Sequence, residues 1–228
     1  MYKAVIFDLD GTLLDTISDI SDSVNAVLSS MGHSTFSESQ YKYFVGMGVD
    51  ELIKTVMREN GIIDDEFDTI KSGYIQEYAK RNSIKTKPYD GILDMLRKLK
   101  DSGVKICILS NKPHFQTEEV VAKYFDDIAF DVVFGKKPEY KIKPDPESAL
   151  KILEILGITQ AEALYVGDTN TDMQTAINAG IKSVGVLWGF RTMNELIAAG
   201  AGYIINDPKN ILSIVGGMGN DSQFRELS

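Results

Sequence analysis

Residues 4–15 read AVIFDLDGTLLD, and the reading of this stretch decides the fold. The apolar run from Ala4 to Phe7 predicts a buried strand. It ends in two carboxylates, Asp8 and Asp10, with Gly11 and Thr12 directly behind them. Open α/β sheets place their ligands at the carboxyl ends of strands. Two acids this close repel, so a cation is the obvious neutraliser. The bland alternative is an acidic turn that merely caps the strand.

Working outward, strand-like runs recur at 3–7, 104–109, 130–134, 163–166, 183–187 and 203–205, with helical patterns between most of them. Ile92, Leu93, Leu96 and Leu99 share a helix face, as do Ala149, Leu150, Leu153 and Leu156. The second of these helices has a start signal, Asp145 as N-cap with Pro146 in the first turn. Met173, Ala176 and Ile177 make a further face with Gly180 as its stop, and Thr192 with Glu195 fits a capping box. Strands alternating with helices predict an α/β fold, a doubly wound parallel sheet with helices on both faces.

One segment breaks the alternation. Between Thr16 and Lys87 three apolar stripes fall at helical spacing: Ile17, Ile20, Val24, Val27 and Met31; Leu52, Ile53, Val56 and Met57; Phe67, Ile70, Tyr74 and Tyr78. They predict an inserted α-helical domain at 16–87 with its own core, and a sheet domain made of 1–15 and 88–228.

The 228 residues, 43% apolar and 25% charged, suffice for a sizeable core. A net charge of −9 argues against nucleic acid and against an anionic membrane as partners, and leaves room for a small anionic substrate. The single Cys107, inside the apolar run VKICIL, reads as a buried thiol in a reducing compartment. No secretory signal follows Met1 and no apolar stretch reaches transmembrane length, so a cytoplasmic protein is expected. The Gly-rich end from Gly216 is expected to fray.

Four pieces sit at strand ends or in the turns beyond them: Asp8-Leu9-Asp10-Gly11-Thr12, Ser110-Asn111-Lys112-Pro113, Lys143-Pro144-Asp145-Pro146, and Gly167-Asp168-Thr169-Asn170-Thr171-Asp172. Together, and in this order, they closely resemble the haloacid dehalogenase superfamily of phosphohydrolases. The resemblance covers nearly the whole chain. It implies a Rossmann-like core with the first and fourth strands adjacent at the switch point, and a helical cap inserted after the first strand.

It also implies a phosphomonoester hydrolase with Mg²⁺ as cofactor. Phosphoryl transfer gathers negative charge around the transferred group. Asp8 is placed to attack phosphorus and form an aspartyl-phosphate. Asp8 and Asp168 are candidate metal ligands, and by resemblance the backbone carbonyl of Asp10 is a third. Asp172, four residues past Asp168, either faces the ion, directly or through a water, or is a first-turn acid favoured by the helix dipole. The Asp10 side chain serves as general acid to the leaving alcohol and then as general base to water, a second acid that a dehalogenase does not need. Thr12, Ser110 and the Asn111 backbone N–H offer donors to phosphoryl oxygens. Lys143 screens the charge, its Lys-Pro-x-Pro context selecting it over Lys141. The histidines, His33 and His114, support no His-based chemistry. His114 either borders the pocket or simply starts a helix.

Val45-Gly46-Met47-Gly48 resembles the substrate loop of phosphoglycolate phosphatases, with Gly46 and Gly48 letting backbone N–H groups approach a small anion. The alternative is a plain helix–helix turn. Ser110-Asn111-Lys112-Pro113 and Trp188-Gly189-Phe190 resemble the same subfamily, and Lys112 adds a cation near the phosphate-binding turn. The expected partner is a small phosphate ester, 2-phosphoglycolate first, for a monomer or homodimer. A sugar-phosphate mutase or a pyrophosphatase shares most of these motifs. A receiver-like signalling domain shares the acidic cluster and the lysine, but lacks the helical insert and the acid two residues after the nucleophile.

Overall fold

The computed structural model describes residues 2–217 and the backbone of 225–226. The end from Gly216, expected to fray, lies almost wholly outside the described residues. The chain forms two compact units, one from residues 1–14 and 88–228 and the other from Asp15–Lys87.

The larger unit is built on six parallel strands: β1 (Ala4–Phe7), β2 (Lys105–Pro113), β3 (Val132–Lys136), β4 (Ala163–Gly167), β5 (Lys182–Val186) and β6 (Tyr203–Ile205). A short β7 (Arg225–Glu226) pairs antiparallel with β6. The order is β3-β2-β1-β4-β5-β6-β7, so the strand sequence reverses direction between β1 and β4. That is the switch point at which doubly wound sheets form their crevice. Phe7 stands opposite Ile108 on one side and Val166 on the other, which brings the ends of three strands level.

One strand runs further than its apolar run suggests. β2 continues past Leu109 through Ser110-Asn111-Lys112 to Pro113, with its register against β3 broken between Leu109 and Pro113. The polar piece expected beyond the strand is therefore an irregular extension of it.

The smaller unit is helical, as its apolar stripes require. It contains α1 (Ile17–Ser30), α2 (Glu38–Phe44), α3 (Val49–Asn60) and α4 (Phe67–Arg81). Ile17, Ile20, Val24 and Val27 of α1 are buried, as are Leu52, Ile53, Val56 and Met57 of α3 and Ile70, Tyr74 and Tyr78 of α4. Asp19 is a buried carboxylate in this unit. It accepts from the backbone N–H of Lys85 and Thr86 and from the Thr86 hydroxyl, at 2.7 to 3.1 Å, and so ties the start of α1 to the end of the segment.

In the sheet unit α5 (Ile92–Asp101), α6 (His114–Tyr124), α7 (Glu147–Leu156), α8 (Asn170–Ala179), α9 (Met193–Ala198) and α10 (Asn210–Val215) complete the fold. Strand alternation sorts the core into two layers. Val5, Phe7, Ile106, Ile108, Leu164 and Val166 pack with α5 and α10, whereas Ile6, Cys107, Leu109, Ala163 and Tyr165 pack with α7 and α8. Three local expectations need correction. Leu150 and Ile177 lie at the rims of their helix faces and are exposed. Pro146 precedes α7 rather than opening its first turn, while Asp145 accepts from the Glu147 N–H at 3.0 Å. No described helix is long and apolar enough to cross a membrane.

Candidate active site

The carboxyl ends of β1, β2 and β4 bring three of the four polar pieces together, and the loop leading into α7 supplies the fourth. Asp8 leaves β1 with its N–H bonded to Val166 O at 2.9 Å, which seats it beside Asp168. Oxygen atoms of Asp8, Asp168 and Asp172 all lie within 4.8 Å of one another, and all three residues are buried.

The Lys143 ammonium sits among them. Its Nζ is 2.7 Å from Asp8 Oδ1 and 2.7 Å from Asp172 Oδ1. Lys141, by contrast, is exposed and pairs with Asp145 at 3.3 Å, away from the carboxylate cluster. The ammonium thus pairs with two of three clustered carboxylates, so full ionisation of all three leaves net negative charge. Burial, then Asp172, pushes the Asp8 carboxyl well above the usual carboxylate range against the opposing pull of Lys143. Burial and Asp172 push Asp168 up to about 7, although Phe190 N–H and Thr12 donate to it. Burial works against the charge on Lys143, but Asp172 and Asp8 hold its ammonium well above the ordinary lysine value. Oxygen donors with unbalanced negative charge in a buried pocket are what a hard divalent cation fits.

Asp172 occupies the third position of α8, where Thr169 opens the helix with a capping box. Asp172 Oδ2 accepts from the Thr169 hydroxyl at 2.6 Å and its N–H at 3.1 Å, while Oδ1 accepts from Lys143. This acid therefore caps the helix with one oxygen and faces Lys143 with the other. The Tyr165 hydroxyl, 3.5 Å from Asp172 Oδ1, completes the pocket wall. Tyr165 carries no signal in the sequence, because an apolar strand hides a single hydroxyl.

Thr12 differs from its expected role. Its buried hydroxyl donates to Asp168 Oδ1 at 2.9 Å, because a buried carboxylate requires donors. The other oxygen, Asp168 Oδ2, accepts from Phe190 N–H at 2.8 Å, and Trp188 Nε1 donates to Thr12 O at 2.9 Å. The loop after β5 is thereby pinned over β1. Gly189 permits this approach, since a Cβ there would stand 2.3 Å from the Asp168 Cβ and 2.4 Å from Gly11 O. Gly11 itself has φ +90, and a Cβ on it would meet Asp168 Oδ2 at 2.3 Å.

Ser110 is buried at the pocket, its Oγ accepting from Lys112 N–H at 3.2 Å. The Asn111 side chain does more than sequence suggested. It accepts from Lys143 N–H at 2.8 Å and donates to Lys143 O at 3.1 Å. Asp10 sits at the pocket edge with its carboxylate against Lys112, whose Nζ is 3.1 Å from each oxygen. His114 is the first residue of α6, its Nδ1 accepting from Gly135 N–H at 3.2 Å, which is the helix-start alternative. In the helical unit, Gly46 and Gly48 have φ of 134 and 83, and Gly48 immediately precedes α3.

The fold and site have clear relatives. Residues 5–186 match the family model of the haloacid dehalogenase-like hydrolases. Phosphoglycolate phosphatase of Aquifex aeolicus is 32% identical over 200 residues, covering 86% of this chain and 89% of its own. Phosphoglycolate phosphatase 1 of Pseudomonas aeruginosa is 27% identical over 92% of this chain and 78% of its own. The solved structure of a provisionally assigned phosphoglycolate phosphatase from Lactobacillus delbrueckii subsp. bulgaricus has TM-score 0.90 at 29% identity, covering 94% of this chain and 98% of that one. A haloacid dehalogenase-like family protein from Streptococcus pneumoniae shares the fold with TM-score 0.84 at 22% identity. With its switch-point carboxylates, its buried lysine and a family match over most of its length, the chain belongs to the haloacid dehalogenase-like hydrolases.

Proposed function

We propose that the chain hydrolyses small phosphomonoesters through a covalent phosphate on Asp8, with 2-phosphoglycolate as the preferred ester. The observation that carries the reaction class is the Lys143 ammonium held 2.7 Å from both Asp8 and Asp172, with Asp10 two residues beyond the nucleophile.

In the first step an Asp8 carboxylate oxygen forms a bond to phosphorus as the bond to the leaving alkoxide breaks. Asp10 gives its proton to that oxygen, so the alcohol departs neutral. In the second step a water oxygen attacks phosphorus, Asp10 takes back a proton, and the bond to Asp8 breaks to release phosphate. Lys143 keeps positive charge against Asp8 throughout, which lowers the cost of bringing a phosphate anion toward a carboxylate. Ser110 and the Asn111 N–H are the proposed donors to the phosphoryl oxygens. Thr12 acts on Asp168.

The pocket suits Mg²⁺ held by Asp8, Asp168 and the Asp10 carbonyl, an ion that would neutralise phosphoryl charge when bound. Asp172 serves it from outside that set, its two oxygens being engaged by Lys143 and Thr169. The preference for phosphoglycolate is supported by relatives carrying that name and by the glycine pair Gly46 and Gly48, whose positive φ is one that residues with side chains rarely adopt. The helical unit is assigned the choice of ester. The buried thiol of Cys107, pushed up to about 12 by burial, suits a cytoplasmic setting.

The test is phosphate release from a panel of phosphomonoesters with Mg²⁺ present. The reading expects 2-phosphoglycolate to give the highest kcat/KM. Comparable rates across small esters would remove the substrate and leave the reaction class; no release from any ester would remove both.

A further inference from the structure

Lys112 was expected near the phosphate-binding turn as a cation for the substrate. The structure gives it another partner. Its Nζ lies 3.1 Å from Asp10 Oδ1 and 3.1 Å from Asp10 Oδ2. Equal distances place the ammonium in the plane that bisects the two oxygens, so one cation holds both of them and resists a swing of the group away from β2. The lysine side chain is 4% exposed and that of Asp10 14%, so the contact is shielded from solvent and weakly screened.

The lysine backbone is fixed as well. Its N–H donates to Ser110 Oγ at 3.2 Å, and its carbonyl accepts from the Thr117 hydroxyl at 3.3 Å. Lys112 lies in the stretch of β2 whose register against β3 is broken, between Leu109 and Pro113. A buried stem anchored at both ends loses little further freedom on holding Asp10.

We propose that Lys112 is a positioning residue for the proton-transfer step, acting through the Asp10 carboxylate and not through the substrate; this rests on the acid–base role of Asp10 given above. General acid catalysis depends on geometry before acidity, because the donor must lie within hydrogen-bond reach of the oxygen it protonates. A carboxyl released from its clamp rotates away, and misplacement by about 1 Å costs on the order of 100-fold. The loss falls on substrates whose leaving group needs a proton. Binding of phosphate is untouched.

The test is a double-mutant cycle of Lys112→Met and Asp10→Asn on the full chain, with 2-phosphoglycolate and p-nitrophenyl phosphate as substrates. Lys112→Met is expected to lower kcat/KM for the alkyl ester by about 10- to 100-fold and for the aryl ester by less than about 3-fold. Inhibition by inorganic phosphate should stay within about twofold. In the Asp10→Asn background the same change should cost less than about 3-fold, because the group it acts through is already disabled. Lys112→Arg should recover most of the loss. Should Lys112→Met not fold, Lys112→Gln carries the cycle, keeping a donor without the charge.

A full effect in the Asp10→Asn background, or a raised KM with kcat unchanged, overturns the proposal while leaving the acid role of Asp10 intact. Equal loss on both esters in Asp10→Asn alone overturns the acid role itself, and the proposal with it.

Discussion

The side-chain amide of Asn111 pairs with both backbone polar groups of Lys143, accepting from its N–H at 2.8 Å and donating to its carbonyl at 3.1 Å. Both residues are buried, so water cannot replace either bond. The amide near the end of β2 thus sets the height of the ammonium in the loop before α7. Asn111→Ala should leave two buried backbone groups unpaired, at about 1–3 kcal/mol each. Thermal melting should fall, and kcat should drop at least about tenfold as Lys143 drifts from Asp8. A variant that melts lower but turns over at the wild-type rate would show that the clamp serves stability alone.

Asp8→Asn should abolish turnover, since an amide cannot form the acyl phosphate. It should not lower stability in chelator. The change removes one of three mutually repelling buried carboxylates and leaves Lys143 its bond to Asp172. The checks are phosphate release and the melting temperature in chelator. Residual turnover near a tenth of wild type would rule out Asp8 as the nucleophile, and a large fall in melting temperature would show that Lys143 depends mainly on Asp8.

The pH dependence of the metal-free protein has a definite sign. Folding raises the Asp168 carboxyl from 3.8 to about 7 and moves Asp8 in the same direction. Between the unfolded and folded values the native state binds more protons than the unfolded chain, so stability falls as pH rises. In chelator the melting temperature should therefore drop between about pH 5 and about pH 8. Saturating Mg²⁺ should offset the drop, because the ion requires the deprotonated ligands. Asp168→Asn should flatten the chelator curve. A melting temperature that rises over this range in chelator would contradict the burial of these acids.

How much of this was legible before the fold was known follows from the range of each interaction. Asp8, Asp10 and Asp168 stand where apolar runs end, a place visible in one dimension, and Lys143 is marked by its Lys-Pro-x-Pro context. The inserted helices announce themselves by stripes such as Leu52, Ile53, Val56 and Met57. Asn111, Lys112, Thr12 and Tyr165 are different. The first three take their partners from other loops, which the strand order brings near, and Tyr165 meets Asp172 on helix α8. Thr12 was assigned to phosphate because its bond to Asp168, 156 residues away, has no trace in local sequence. Leu150 and Ile177 satisfy a helical period yet sit at the rim, since periodicity gives a face but not its width.

Gly189 separates crowding from backbone strain. A methyl group there would lie 2.3 Å from the Asp168 Cβ and 2.4 Å from Gly11 O, and one of those neighbours is backbone. Gly189→Ala should therefore push the Phe190 loop off Asp168 and break the 2.8 Å bond from Phe190 N–H. The expected result is a rise of at least about tenfold in the Mg²⁺ concentration for half-maximal activity, because a supporting bond to a proposed metal ligand is lost. Gly61→Ala is the control. Its φ is +68 with nothing within 4 Å, so the added methyl meets strain but no neighbour. That variant should lose about 1–2 kcal/mol of stability and keep its metal dependence. If Gly189→Ala matched wild type in metal requirement while melting lower, the loop after β5 would be a packing element and not a support for Asp168.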